Sequence, residues 1–587
     1  MNQHDANSAA ASIRDGGRFP ASLAPATRSI RLARFAPWTR ALACLLSGLL
    51  LTAAFPPLEW SWIAWIAVLP ALLAAPATDR RGRIACGALF GLSHCLTLFG
   101  WLNEVGFFAG FLLGSVIAVF PAMWYVAIAK YATTDIAPAP RRWQSWLREL
   151  ARVLLPAALW VTLEWIRSWL FTGLPWGFAG ISQWRQPLLL PLATVTGVYG
   201  ISFLILLTNL SLARLRLAVW RRQHVVCELR GAVAAAVLLL TVVAPWGAAR
   251  LYPTPVLSER TVRIAAVQGN IPQSRGRGEQ MLPVALEAYD RVSRSLVRTD
   301  QPDLLLWPET AVPAALRYSE TYASMVETLC RDTRTPLLMG TIDYRFPSAH
   351  QKDSETGNNP NTDVAPLGFN SAFLLGPSGQ ILEHYDKMHL VPFGEYTPFE
   401  EQLPILRDWI GMGRSLTAGR EPTLLRLPGG IRAGVNICYE DCFPGISRTF
   451  TRRGAEVLLT LTNDAWYAQS AGSRQHMIHA VFRAVENRRP LMRSGNNSDT
   501  CLIQADGSVE GLLYDEDSGN RFIRAGRTYP LRVPQTLPLT FYTRFGDVFA
   551  LLCLGATLAC AFPALFHFLH RKQRLYTLIR GMPPPPF

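Results

Sequence analysis

Seven apolar stretches, each about as long as a bilayer is thick, crowd into the first 250 residues and constrain the chain more than any other feature. A helix needs about 20 mostly apolar residues to cross the hydrocarbon core. Such runs fall at roughly 39–56, 58–76, 84–103, 107–130, 152–171, 188–213 and 229–249. An eighth, at roughly 546–570, follows about 300 residues of ordinary polar character. Half of the 587 residues are apolar and only 17% are charged, the balance expected when a membrane bundle carries a globular domain.

Basic residues close to a span resist translocation, so their placement reports sidedness. Six arginines lie in residues 1–40, followed by Arg80, Arg81 and Arg83, then Arg141, Arg142, Arg148 and Arg152, then Arg214, Arg216, Arg221 and Arg222. The intervening loops contain only Arg185. The alternation predicts a membrane α-helical bundle of eight transmembrane helices with both termini in the cytoplasm. Its parts are a polar tail over 1–36 expected to be disordered, a seven-helix domain over 37–250, an extracytoplasmic domain over 258–540, the eighth helix over 545–570 and a tail over 571–587. Much of the net charge of +15 belongs to these loop arginines, so it reads as a topology signal and not as a nucleic-acid surface. The first run is long enough to span, which favours an uncleaved anchor over a removed signal peptide.

The outer segment alternates strands and helices: TVRIAAVQGNI, a helix over 279–297, PDLLLWPE, a helix near 319–330, and PLLMGTIDY. A polar loop intervenes before SAFLLGPSGQILEHYDK, whose GPSG is hairpin chemistry. Three more strands follow, IRAGVNICYE, AEVLLTLTND and LMRSGNN, separated by helices near 443–453 and 473–488. This is an α/β domain with a covered sheet. Three strands end on a polar or reactive group: LLLWPE on Glu309, ILEHYDK on Lys387 and GVNIC on Cys438. Functional groups of α/β folds gather at the carboxyl edges of strands, so these three can share a pocket.

The motifs WPET, YDKMHLVPFGEY and NICYED resemble the Glu, Lys and Cys motifs of the nitrilase, or carbon-nitrogen hydrolase, superfamily. That resemblance implies an α-β-β-α sandwich and a triad of Glu309, Lys387 and Cys438. With seven spans before and one after, the chain is similar within that superfamily to the apolipoprotein N-acyltransferases of bacteria. AVQGNIPQ, TNDAWY, QHMIHAVFRAVENRRPLMRSGNN and LEWIRSWLFTGLPWG carry the same likeness. It implies an acyl chain passing from a phospholipid to Cys438 as a thioester, and then to the α-amino group of the N-terminal S-diacylglyceryl-cysteine of an apolipoprotein. The bilayer would be the third partner, the enzyme a monomer, and the location the inner membrane with the catalytic domain on the periplasmic side. The resemblance also assigns Glu395, Tyr439 and Glu440 to the support of the site. The chain departs from the family pattern at SRGRGEQ, where an aromatic residue is usual, and at Ser473 and Arg474, where many relatives have Gly-Pro.

The chemistry suits these residue types. A thiol near neutral pH is mostly protonated and needs a base or cation beside it. Glu309 can take that proton and return it to the leaving alkoxide, and Lys387 with the backbone N–H after Cys438 can stabilise the oxyanion. A rival Cys-His-Asp set would use His389 with Asp386 or Asp441, but His389 lies two residues from Lys387 and reads as a structural histidine. His476 and His479 lack the acid of HExxH and read as one face of a helix, so neither metal nor cofactor is expected. Cys438 and Cys442, or another pair, could form a disulfide outside the cytoplasm. Within the spans, Glu164 and Arg167 stand three residues apart, placed to meet each other or to seat a loop or lipid headgroup. Phe399, Leu403, Leu406, Trp409 and Ile410 form an amphipathic stretch expected as a lid at the membrane interface. Two rivals to the acyltransferase remain: a tethered amidase using the same triad, and a transporter or scaffold with an inert domain.

Overall fold

The computed structural model describes residues 36–75, 79–131, 142–221, 259–272, 278–346, 366–402, 414–534 and 538–562, with isolated positions at 233, 236, 237 and 405. Residues 1–35, nearly all of the expected span over 229–249, the C-terminal tail, and Leu403, Leu406, Trp409 and Ile410 of the expected lid lie outside the described residues.

The N-terminal half is helical: α1 (Pro37–Ala53), α2 (Leu69–Ala74), α3 (Arg80–Leu98), α4 (Ala109–Ile117), α5 (Val119–Tyr131), α6 (Arg142–Arg167), α7 (Ala193–Thr196) and α8 (Val198–Arg221). Among the described residues, two helical stretches, Ala109–Ala129 and Val198–Trp220, are long and apolar enough to cross a membrane, and Pro37–Ala53, Ser61–Ala74 and Val548–Phe562 are shorter apolar helices.

The stretch 58–76, expected as one span, is broken into a 3-10 turn at Ser61–Trp65 and the six-residue α2. Side chains of neighbouring elements satisfy the backbone groups that the break exposes. Asn209 of α8 donates to the carbonyl of Ala64 (2.9 Å) and accepts from the N–H of Val68 (3.0 Å). Ser47 accepts from Ala71 N–H (2.9 Å), Tyr125 donates to the Ala71 carbonyl (3.2 Å) and Gln183 donates to the Ser61 carbonyl (2.8 Å). Irregular backbone survives at membrane depth only where protein groups replace the missing water in this way.

The second half holds twelve described strands: β1 (Glu259–Gln268), β2 (Leu304–Leu306), β3 (Leu337–Arg345), β4 (Leu367–Leu375), β5 (Ile381–Asp386), β6 (Leu424–Leu427), β7 (Ile431–Ile437), β8 (Val457–Thr462), β9 (Leu491–Gly495), β10 (Cys501–Ile503), β11 (Val509–Glu510) and β12 (Ala525–Pro534). They form two six-stranded sheets, in the orders β12-β1-β2-β3-β4-β5 and β11-β10-β9-β8-β7-β6. Strands β1, β2 and β3 run parallel, as do β7, β8 and β9, with antiparallel strands at the flanks. Side-chain alternation divides the first sheet into two faces. Ile264, Ala266, Leu306, Ala372 and Leu374 join the large core shared with the second sheet, while Ala265, Val267, Leu305, Phe373 and Leu375 pack in a separate cluster with Ala285, Tyr289, Val326 and Leu329 of the covering helices α9 (Gly278–Asp300) and α10 (Glu320–Thr333). On the second sheet lie α11 (Pro444–Arg452) and α12 (Ala471–Asn487), followed near the end of the chain by α13 (Phe541–Phe545) and α14 (Val548–Phe562). This is the expected α-β-β-α sandwich.

The large core does not stop at the sandwich. It runs continuously from Cys44 and Phe90 of the helical half through Trp176 to Ile437 and Leu459 of the second sheet. Helix α12 is the seam. Its Gln475 accepts from the indole N–H groups of Trp101 (3.0 Å) and Trp176 (2.9 Å) and donates to the carbonyl of Pro56 (3.0 Å). The helix begins at Ala471 because Ser470 caps it by accepting from Gly472 N–H, so the departure from Gly-Pro leaves a working helix start.

Replacing Asn209 with Leu leaves the Ala64 carbonyl and the Val68 N–H buried without partners. We expect a loss of about 2–6 kcal/mol, at about 1–3 kcal/mol per orphaned group, read from a denaturant titration in mixed micelles. An unchanged midpoint would show that the break has other support.

Candidate active site

Glu309 follows β2, Lys387 follows β5 and Cys438 follows β7, so three strand ends on two facing sheets converge. All three side chains are buried. The Lys387 ammonium lies 3.3 Å from Glu309 Oε1 and 2.9 Å from Glu395 Oε2. Asn370, on the neighbouring strand β4, donates to both carboxylates at 2.7 Å. The N–H groups of Asn463 and Val391 complete the set, donating to Glu309 Oε2 (3.0 Å) and Glu395 Oε2 (2.8 Å). Gly340 of β3 makes room, since a Cβ there would stand 2.5 Å from the Glu309 Cα. Burial works against the Lys387 charge, but Glu395 and Glu309 outweigh it and hold the pKa above the ordinary lysine value.

Cys438 adopts φ +52°, in the left-handed region, at the turn from β7 into a short 3-10 segment over Cys438–Cys442. Such backbone is uncommon outside glycine and marks a residue held by its surroundings. Burial and the Glu309 charge raise the thiol pKa, with Lys387 and His476 opposing. The resting sulfur is therefore a neutral thiol, and its proton must leave as it attacks.

Glu440 ties the nucleophile's turn to the lysine's loop. Its Oε1 accepts from Met388 N–H (2.7 Å), His389 N–H (3.1 Å) and Tyr385 OH (2.8 Å), and its Oε2 from Ile437 N–H (2.8 Å). Burial pushes its pKa up to about 7, the hydrogen bonds acting against the rise. Tyr439 donates to the carbonyl of Gly173 in the helical half (3.2 Å).

The rival histidine set is not assembled. The His389 ring packs on Phe443, with ring centroids 3.8 Å apart, and bonds the Thr172 carbonyl, while Asp386 is clamped by Arg345 at 2.7 Å. Burial and the Lys387 charge lower the His389 pKa to about 4. The histidine that approaches Cys438 is His476, which lies in a buried ion network. Its ring nitrogens face Asp464 (2.8 Å) and Asp441 (3.0 Å), and Arg493 bridges the same carboxylates at 2.9 and 2.7 Å. Two overlapping clusters, Cys438-Asp464-His476 and Asp441-Cys442-His476, are tight enough for a metal ion, but the Arg493 guanidinium already neutralises their carboxylates. Cys438 and Cys442 are both free thiols.

Glu164 and Arg167 do not pair with each other. Glu164 Oε1 accepts from Ala179 N–H (2.7 Å) and the Trp160 indole (2.8 Å), and Arg167 donates to the Trp176 carbonyl (3.0 Å). They brace the loop 171–179, which belongs to the helical half and presents Gly173 to Tyr439 and Trp176 to His476. Of the expected lid, Phe399 is described, and it is exposed.

Sequence reasoning missed Asn370 and the Asp441-His476-Asp464-Arg493 network. A signal existed for the first: Asn370 falls in alternation with Ala372 and Leu374, on the face turned to the other sheet. The network has no local spacing to betray it, since its four members come from four elements.

A sandwich with this order of motifs defines a carbon-nitrogen hydrolase fold, and residues 263–519 match the carbon-nitrogen hydrolase family. Residues 47–211 match the apolipoprotein N-acyltransferase N-terminal domain. Over 524 residues the chain is 34% identical to the apolipoprotein N-acyltransferase of Geobacter metallireducens, covering 89% of this chain and 94% of that protein. It is 30% identical to that of Chlorobaculum tepidum over 536 residues, covering 87% and 94%. The chain belongs to the apolipoprotein N-acyltransferase family and is an acyltransferase. Among solved structures, an amidase from Nesterenkonia sp. overlaps 50% of this chain and 95% of its own at 19% identity, with a TM-score of 0.31.

The raised Glu440 pKa has a signed consequence. Between the unfolded value of about 4.5 and about 7 the native state binds more protons than the unfolded chain, so this group's contribution to stability falls as pH rises through that window and levels off above it. We expect the melting-temperature advantage of wild type over Glu440→Gln to shrink from pH 4.5 to 7 and then stay constant. An advantage that grows with pH would contradict the assignment.

Proposed function

We propose that the enzyme transfers an acyl chain from a phospholipid through Cys438 to the α-amino group of a diacylglyceryl-cysteine at the N-terminus of an apolipoprotein. The observation that carries this reading is the strand-end thiol held beside a buried Glu309-Lys387-Glu395 cluster. Family membership supports the substrates, since the relatives are named for that acceptor.

In the first step, Cys438 Sγ attacks the ester carbonyl carbon while Glu309 takes the thiol proton. Lys387 Nζ and the Tyr439 N–H stabilise the oxyanion. The C–O bond breaks, Glu309 returns the proton to the departing alkoxide, and a lysophospholipid leaves. In the second step the lipoprotein amine attacks the thioester, Glu309 accepts the amine proton, the C–S bond breaks and the proton returns to sulfur. Glu395 and Asn370 fix Lys387 and Glu309 in place, and Glu440 and Tyr439 fix the nucleophile's turn.

Eight crossings, with 58–76 counted as a crossing despite its break, agree with the alternating arginine loops and leave the catalytic domain on the periplasmic face of the inner membrane. Phe171 (90% exposed), Phe393 and Phe399 are exposed apolar groups, suited to a lipid surface around the site. Residues 399–410 serve as the lid in this reading.

Intact-mass analysis of the purified enzyme with phospholipid should show a hydroxylamine-sensitive acyl adduct on wild type and none on Cys438→Ala. The adduct should disappear as an added diacyl lipopeptide gains one chain. An adduct that persists in the variant overturns the nucleophile, and an adduct resolved only by water favours the amidase.

Single cysteines introduced at Arg81 and at Arg185 of a functional cysteine-depleted background should label from the cytoplasmic and periplasmic sides respectively with a membrane-impermeant maleimide. Labelling of both from one side overturns the topology.

A further inference from the structure

Two carboxylates settle the protonation of His476. Nδ1 lies 2.8 Å from Asp464 Oδ1, and Nε2 lies 3.0 Å from Asp441 Oδ1. A carboxylate only accepts, so each ring nitrogen carries a hydrogen and the ring is an imidazolium. It therefore cannot serve as the base for Cys438. Arg493 donates to the outer oxygens of the same two carboxylates, leaving two positive and two negative charges in a fully buried cluster. The ring plane is set by Trp176, which stacks on it at 25° with centroids 5.6 Å apart.

Besides the 3.3 Å approach of Arg493 Nη2 to Nδ1, this rigid cation reaches the nucleophile: the Nε2–H that faces Asp441 is shared with the backbone oxygen of Cys438, 3.3 Å from Nε2. In a trans peptide the C=O and the following N–H point in opposite directions, so fixing the Cys438 oxygen fixes the direction of the Tyr439 N–H. Among the described residues that N–H has no acceptor. Arg483 reinforces the turn, donating to the carbonyls of Asp441 and Cys442 at 3.1 Å. Cys438 itself sits at φ +52°, a conformation that needs such external support.

We propose that His476 is a positioning residue for acyl transfer, its Nε2–H holding the Cys438 carbonyl so that the Tyr439 N–H is presented to the oxyanion. Asp441, Asp464 and Arg493 hold His476 for that task. The proposal rests on the thioester chemistry above and adds to it a residue that touches neither acyl donor nor acceptor.

The test separates two reactions of the same sulfur. Acylation by phospholipid passes through an oxyanion, whereas alkylation by iodoacetamide is a displacement at a saturated carbon and forms none. Removing His476 alone would strand two carboxylates beside one arginine, so the variants are charge-compensated and measured against Asp441→Asn. His476→Met/Asp441→Asn should form the acyl-enzyme at least about 100-fold more slowly, the scale of one lost oxyanion donor, while its alkylation stays within about threefold. His476→Gln/Asp441→Asn, which keeps a donor near the Nε2 position, should recover at least about tenfold of the loss. If the Met variant does not fold, His476→Asn/Asp441→Asn, with an amide too short for the carbonyl, replaces it in the comparison. Acylation and alkylation falling together, or acylation unaffected, overturns the proposal. A wild type that alkylates but never acylates sinks the thioester chemistry and the proposal together, and shows this before any substitution is made.

Discussion

A single buried ammonium organises the catalytic half. Lys387 would be prohibitively costly to bury alone, and it is tolerated because Glu309 and Glu395 meet it from two different loops. Burial first, and the Glu309 charge second, raise the Cys438 pKa and keep the thiol protonated until substrate brings in a developing negative charge for Lys387 to stabilise. The site is thus arranged to respond to an ester carbonyl, whose oxygen gains negative charge beside the ammonium. Asn370 is what makes two carboxylates beside one lysine stable, because a single amide donates to both.

The two halves are not a motor and a mount. One turn of α12 faces both ways: Gln475 grips the Pro56 carbonyl and two tryptophans of the bundle, and the next residue reaches the nucleophile's backbone. The loop 171–179 completes the connection, braced from behind by Glu164 and Arg167 and touching Tyr439 and His476 in front. The charges placed within the predicted spans are therefore part of how the active site is held.

Strand ends were readable because periodicity and chain punctuation are local. Glu309, Lys387 and Cys438 each close an apolar run, and the sheets bring them together as that pattern implies. Asn370 was one residue outside the expected strand, and its role depends on which face of β4 meets the other sheet. His476 was seen as part of a helix face, but its partners Asp464 and Arg493 come from a strand end and a strand far apart in sequence. In the helical half, hydropathy finds apolar length and is blind to a break such as that after Trp65, because the polar atoms that tolerate it sit on α1, α5 and α8.

The chain enters the sandwich on β1 and leaves on β12, and these strands pair antiparallel from Glu259↔Pro534 to Gln268↔Ala525. Entry and exit are thus side by side, at the same end of a ten-residue ladder. Lateral separation of the helical segments on either side would load that ladder as a zipper, one bond at a time from the Glu259↔Pro534 end. Since β1 also pairs with β2, whose end carries Glu309, the cohesion of the bundle becomes a mechanical condition for the alignment of the catalytic carboxylate.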